Sequence, residues 1–258
     1  MTQDTETDEI VTAALLIIGN EILSGRTQDA NLSYIAKGLG AIGIRLREVR
    51  VIPDIAETII ATVNEVRAKF DYVFTTGGIG PTHDDITSET IAQAFGVKWV
   101  LHPEAKRLLL THYKESELNA ARLRMAHVPE GATLIDNPVS LAPGFQIGNV
   151  FVMAGVPRIM QAMFDGIKPR LKRGPPMLSR TVRCSLPEGI IAEGLGKLQD
   201  RYSELDIGSY PYFRRGAYGT ALVLRGTDTA RLAAATQELM ELIRNLGGEP
   251  LEGELPEG

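Results

Sequence analysis

Residues 12–18, TAALLII, form an uninterrupted apolar run that stops at Gly19-Asn20. A strand with one face in water alternates apolar and polar residues, so a run without alternation belongs to a strand buried on both faces, as in a parallel sheet covered by helices above and below. Asn31 then opens a helical pattern with Leu32, Ile35, Ala36 and Leu39 on one face, and Gly38, Gly40 and Gly43 are expected to break it before a strand at 44–52. Asp54 with Glu57 makes an N-terminal capping pair for a helix to Lys69, and DYVFTT at 71–76 is a third strand. Thr87 suits the N-cap of a helix to Phe95. A short strand at 97–101 follows, and Pro103 starts a long helix reaching the Asn119 region with Leu108, Leu109 and Leu110 partly inward. Strands at 132–136 and 145–153 and a helix at 157–171 complete the alternation. The order predicts the α/β class: a three-layer, doubly wound domain with a mainly parallel sheet over residues 11–172.

At Lys172-Arg173-Gly174-Pro175-Pro176 the pattern breaks as in a linker. Beyond it a strand at 180–185, a helix at 190–202, strands at 207–212 and 221–225 and a helix at 229–246 predict a small α+β domain over 177–250, with loose tails at 1–10 and 251–258. The 258 residues suffice for one medium and one small domain. A net charge of −5 leaves no basic footprint for nucleic acid or an anionic membrane, so the expected partners are small molecules or protein. The single Cys184 excludes an intramolecular disulfide, and no Cys/His cluster has zinc spacing. An acidic, polar start and the absence of an apolar run near ~20 residues give the expectation of a cytoplasmic protein.

Chemistry concentrates in TTGGIGPTHDDIT at 75–87, which carries a buried strand into a helix start through three glycines and a row of polar groups. Glycine permits a tight turn, bare N–H groups and close approach of a ligand, and a helix N-terminus adds a positive dipole end. Thr76, Gly77, Gly78, Gly80, Pro81 and Thr82 are therefore a candidate anion cradle, with the amides of Gly77 to Gly80 on a diphosphate. The loop lacks the lysine of a Walker A motif and the spacing of G-x-G-x-x-G, and an ordinary glycine turn is the competing account. Asp84 and Asp85 would repel an anion unless a divalent cation lay between them, and Mg²⁺ is commonly held by one or two carboxylates plus substrate phosphates. Both are candidate ligands for Mg, Mn or Co, against a helix cap for one and a solvated carboxylate for the other; His83 is base, ligand or bystander.

Loops that follow strand C-termini gather at one edge of an open α/β sheet, so the loop at 19–31 faces the same crevice. Asn20, Glu21, Asp29 and Asn31 become candidate polar contacts, with helix capping the competing account for Asp29 and Asn31. Asp54 follows strand two and is placed to orient metal or water, so Asp85, Asp54 and Glu21 are the candidate catalytic carboxylates. NPVSLAPGF at 137–145 walls the pocket or merely connects a hairpin. Its Ser140, Pro143 and Gly144 are candidate substrate contacts, and Ser140 lacks the His/Asp relay of a nucleophile. His102, His112 and His127 are expected to be structural or solvated, and Lys106, Arg122 and Arg124 a solvated helix face or phosphate contacts.

TTGGIGPTHDDIT, with IGNEILSGRTQDAN before it and NPVSLAPGF and GVPRIM after it, resembles the molybdopterin-binding-like domain of the CinA type over residues 12–172. GSYPYF at 208–213 is similar to the matching segment of eukaryotic FAD synthases and CinA proteins, where a KH-like fold follows. The resemblance implies a MogA-like fold, commonly oligomeric as a dimer or trimer. In the CinA branch it implies a metal-dependent pyrophosphatase acting on ADP-ribose, with FAD hydrolysis as the analogous activity of the FAD synthase counterpart. The molybdenum-cofactor branch instead adenylylates a pterin and usually carries Arg-Asp where this chain has Asp84-Asp85. Arginine grips an anion directly whereas aspartate needs a cation between, which favours metal-dependent hydrolysis. Ser140 stands where the pattern usually has Gly, Ala154 where it has Pro, and Ile159 where it has an acidic residue. The expected activity is thus cleavage of a phosphoanhydride in an ADP-containing substrate by a water on the metal. The alternatives are adenylylation or binding of a pterin and a non-catalytic nucleotide-binding module. A nucleic-acid role is not expected, because 208–213 lacks the G-x-x-G clamp.

Overall fold

The computed structural model describes residues 10–214 and 217–253, and the chain divides into two units, residues 1–174 and 175–258. The first unit runs β1 (Val11–Ile18), α1 (Asn20–Leu23), α2 (Asn31–Ala41), β2 (Ile44–Ile52), α3 (Ala56–Lys69), β3 (Tyr72–Thr76), α4 (Thr87–Phe95), β4 (Trp99–Leu101), α5 (Pro103–His112), α6 (Ala120–Arg124), β5 (His127–Pro129), β6 (Thr133–Ile135), β7 (Gly144–Ile147), β8 (Val150–Met153) and α7 (Pro157–Ile167). Its six-stranded sheet has the order β2-β1-β3-β8-β7-β6, in which β2, β1, β3 and β8 pair in parallel and β7 alone runs the other way, antiparallel to both β8 and β6. The apolar run of β1 serves two cores at once. Ala13, Leu15 and Ile17 pack with Ile35, Leu39 and Phe164 of α2 and α7, while Ala14, Leu16 and Ile18 pack with Ile59, Val63 and Ile91 of α3 and α4. That is the mainly parallel α/β sheet predicted from the sequence. Its chain order reverses between β1 and β3, where open sheets place their ligand crevice.

Local differences have local causes. Gly38 and Gly40 lie inside α2, and only Gly43, at φ 76°, follows its end. Gly38 belongs there because a Cβ would collide with the Phe164 ring. Asp54 does not cap α3, whose N-cap is Ile55, and Ile86 rather than Thr87 is the N-cap of α4. The long helix expected from Pro103 ends at His112. A 3₁₀ turn at Glu115–Glu117 follows, and the Asn119 side chain accepts the Arg122 N–H to start α6. Of the three leucines only Leu109 is buried, in a small cluster with Ala105 and Ala126. The stretch 145–153 is a hairpin, turning at Gly148-Asn149 between β7 and β8.

The second unit carries β9 (Leu178–Cys184), α8 (Glu188–Arg201), β10 (Asp206–Arg214), β11 (Ala217–Gly226), α9 (Thr229–Asn245) and β12 (Leu251–Glu252). Its antiparallel sheet, ordered β10-β11-β9-β12, buries Val182, Leu222 and Leu224 against Ile191 and Leu198 of α8 and Leu239 and Ile243 of α9. The expected C-terminal tail is in part an edge strand, since Leu251 and Glu252 pair with β9. Of the tails expected at 1–10 and 251–258, residues 1–9 and 254–258 lie outside the described residues. No helix among the described residues is long and apolar enough to cross a membrane.

Candidate functional site

β1 and β3 end side by side, Ile17 opposite Thr76, and the loops that leave them border a cleft of about 500 Å³. Glu21 enters from the first loop, Gly77, Gly78, Gly80, Pro81 and Asp85 from the glycine loop, Ser140 from the 137–142 segment, and Gly155 and Pro157 from the start of α7. A smaller recess of about 50 Å³ shares Glu21, Gly77, Gly155 and Pro157 with it and adds Thr76, Asp29 and Asn31. The remaining sequence candidates sit elsewhere. Asn20 donates its N–H to Asp54 Oδ2 at 2.9 Å, and neither residue lines the cleft. Pro143 is behind the glycine loop, and Gly144 lies in the sheet where a Cβ would collide with the Val152 carbonyl.

The glycines are first a packing requirement. Gly77 and Gly78 adopt φ of 102° and 67°, and a Cβ on them would strike the Ile18 carbonyl and the Thr87 hydroxyl. Gly77 donates its N–H to Met153 O at 3.1 Å, prolonging the β3–β8 pairing, so it is withdrawn from the expected four-amide cradle. The amides of Gly78, Ile79 and Gly80 donate no hydrogen bond among the described residues, and these three are what an anion would find.

Beyond them the chain folds back on itself. Asp85 Oδ2 accepts the Thr82 N–H at 2.8 Å, and Thr82 Oγ1 lies 2.6 Å from Asp84 Oδ1 and 2.5 Å from Asp85 Oδ2. One hydroxyl owns one proton and can serve only one of these carboxylates, so the turn concentrates negative charge that a cation would relieve. The Thr82 hydroxyl, followed by a backbone amide, holds the Asp84 carboxyl below the ordinary carboxylate range. The pair fits a Mg²⁺-type ion that takes its other ligands from phosphate and water. Among the described residues no three His, Cys, Asp or Glu side chains group as a closed metal cage. His83 has its side chain 98% exposed and lies 3.9 Å from Asp84.

Several groupings were not legible in the sequence. Asn137 is 4% exposed and orders the third wall: its Oδ1 accepts the N–H groups of Val139 and Ser140, and its Nδ2 donates to Ser140 Oγ and Ala142 O. Ser140 Oγ thereby accepts one bond within the loop and keeps its own O–H to donate. Leu141 closes that turn at φ 61°, an uncommon conformation for a side-chain-bearing residue. The Asn-Pro pair at 137–138 was the available signal. Met125 and Thr27 also line the cleft. Arg122 and Arg124 are not a solvated face: their guanidinium groups lie over the rings of Tyr113 and Trp99 at 4.3 and 5.1 Å, and Arg124 reaches Glu89 at 3.8 Å. His127 stacks on Trp99, His112 packs against Tyr113, and His102 caps α5, three structural roles.

Comparison with known proteins follows the same division of the chain. Residues 14–173 match the family described as a probable molybdopterin binding domain, and residues 176–247 match the FAD synthase middle domain. A protein of Pyrobaculum calidifontis is 34% identical over 253 residues, covering 91% of this chain and 96% of its own. A CinA-like protein of Desulfosudis oleivorans is 38% identical over 194 residues, covering 70% of this chain, which spans about half (47%) of that relative's length. The crystal structure of the protein CinA with unknown function from Thermoplasma acidophilum superposes with a TM-score of 0.58 at 32% identity, covering 62% of this chain and 98% of that one.

Proposed function

The chain belongs to the family of the probable molybdopterin binding domain, and from that premise we propose that it cleaves the phosphoanhydride of an ADP-containing substrate with a divalent metal ion, ADP-ribose before FAD. One juxtaposition carries this reading: three amides without partners among the described residues and the Asp85 carboxylate meet in one cleft whose lining also includes the apolar Pro81, Ala142, Val156, Pro157 and Ile159. The amides of Gly78, Ile79 and Gly80 bind the diphosphate, and the apolar lining takes a flat base. Asp84 and Asp85 would hold the ion, which when bound offsets phosphate charge and lowers the pKa of water. Glu21 lines the same cleft and is the remaining carboxylate positioned to accept a proton from water. The amides fix the phosphate in place without reorganisation during the reaction.

Purified protein is assayed against ADP-ribose and FAD with Mg²⁺, Mn²⁺ and Co²⁺. The expected result is metal-dependent release of AMP that falls by at least about a hundredfold in Asp85→Asn, the scale of losing an electrostatic catalytic group. Turnover of ADP-ribose that survives the substitution overturns the assignment. The family's description favours one second reading, adenylylation or binding of a pterin. An adenylylated product from ATP, Mg²⁺ and a pterin would establish it.

A further inference from the structure

We infer that the recess adjoining the cleft is a sugar-hydroxyl subsite, which orients the substrate with its phosphates on the glycine loop and the edge of its second ribose, the one that bears no base, at Thr76 and Asn31. This rests on the phosphoanhydride reading and deepens it.

Thr76 is 1% exposed and Asn31 3% exposed, both line the recess, and Thr76 Oγ1 and Asn31 Oδ1 have no hydrogen-bond partner among the described residues. Buried polar atoms are nearly always paired, so two orphans on one recess mark a missing partner. Asn31 has no freedom to turn away, because its Nδ2 donates to Gly155 O at 2.8 Å. That bond leaves Oδ1 as a buried acceptor without a partner on a residue that lines the recess.

The surroundings decide what enters. The carboxylates of Glu21 and Asp29 border the recess, and Asp29 Oδ1 already accepts the Leu32 N–H. With two carboxylates and an amide oxygen, the recess repels phosphate and favours a neutral group that donates. A volume of about 50 Å³ holds a few water-sized groups, at roughly 10–15 Å³ each, which admits the hydroxyl edge of a furanose and excludes a two-ring base. The donor-rich glycine loop and this acceptor-rich recess share Gly77, so the two ends of the ligand are neighbours, as a sugar is to the phosphate it carries.

The test compares ADP-ribose with ADP, which lacks the second ribose, by calorimetry in Ca²⁺ so that binding is read apart from turnover. Wild-type protein is expected to prefer ADP-ribose by about tenfold or more, the worth of a hydrogen bond to a buried site. Thr76→Val replaces an unpartnered hydroxyl by a methyl of similar shape. Thr76 lines the recess and not the cleft of the three amides, so the variant is expected to erase that preference while leaving ADP affinity in place, and Thr76→Ser to retain it. Retained ADP affinity also shows that the variant is folded. Equal affinities in the wild type, or a preference untouched by Thr76→Val, overturn the subsite and leave the recess to water. Preference without turnover in Mg²⁺, Mn²⁺ or Co²⁺ keeps the subsite and removes the hydrolase. Turnover without preference does the reverse, and binding of neither nucleotide removes both.

Discussion

A methyl group at Gly77 would meet the Ile18 carbonyl on a backbone held at φ 102°, whereas the atoms nearest to one at Gly80 are those of the Asp85 carboxylate, a side chain rather than backbone. Two glycines of one loop thus answer to different demands, one to packing and one to the site. Gly77→Ala combines a forbidden backbone conformation with a clash against fixed backbone and is expected to cost about 3 kcal/mol in urea denaturation. Gly80→Ala is expected to stay within about 0.5 kcal/mol of the wild type in the same titration, yet to depress turnover by displacing Asp85. If both alanines cost the same stability, the division of labour in the loop is wrong. The lone Cys184 is inert by the same logic of surroundings: it is buried, and burial pushes its thiol pKa up.

Neighbouring strands of the first sheet are fastened at their amino ends by a single carboxylate. Asp71, just before β3, accepts the hydroxyl and the N–H of Thr12 in β1, each at 2.7 Å. The Thr12 hydroxyl, then its amide, hold the Asp71 carboxyl below its ordinary range. A carboxyl whose folded pKa lies below its unfolded value of ~3.9 contributes stability above that value and loses it as pH falls through the folded pKa. The gap in unfolding free energy between wild type and Asp71→Asn should therefore be constant from pH 8 to about 5 and shrink below about pH 4. A gap that persists unchanged into acid would show that the carboxylate is not the fastening. The element boundaries teach a related lesson. The leucines at 108–110 suggest one long helix, but the side chain of Asn119 offers the Arg122 amide a cap, and a new helix begins there. The apolar stretch at 145–153 hides its Gly148-Asn149 turn because β7 and β8 are both buried.

Each unit of the whole molecule has a core of its own. Phe74, Phe151 and Phe164 belong to the first, and Leu222, Leu239 and Ile243 to the second. Polypeptides ending and beginning at the 174/175 division are accordingly expected to unfold cooperatively on their own, with m-values that track their sizes. A piece without a cooperative transition would show that its core is incomplete. What the chain determined by itself was the succession of elements and the doubly buried sheet, because the spacing of apolar residues is a local property that burial reads directly. It also marked the loops after β1 and β3 as one site, because a parallel sheet brings those ends together. The tertiary structure alone decided which groups in those loops stay available. Gly77 spends its amide on Met153, one oxygen of Asp54 holds the Asn20 amide across 34 residues, and Asn31 is tied to Gly155 across 124. Hydrogen-bond partners that far apart are chosen by packing, and no local pattern of residues records them.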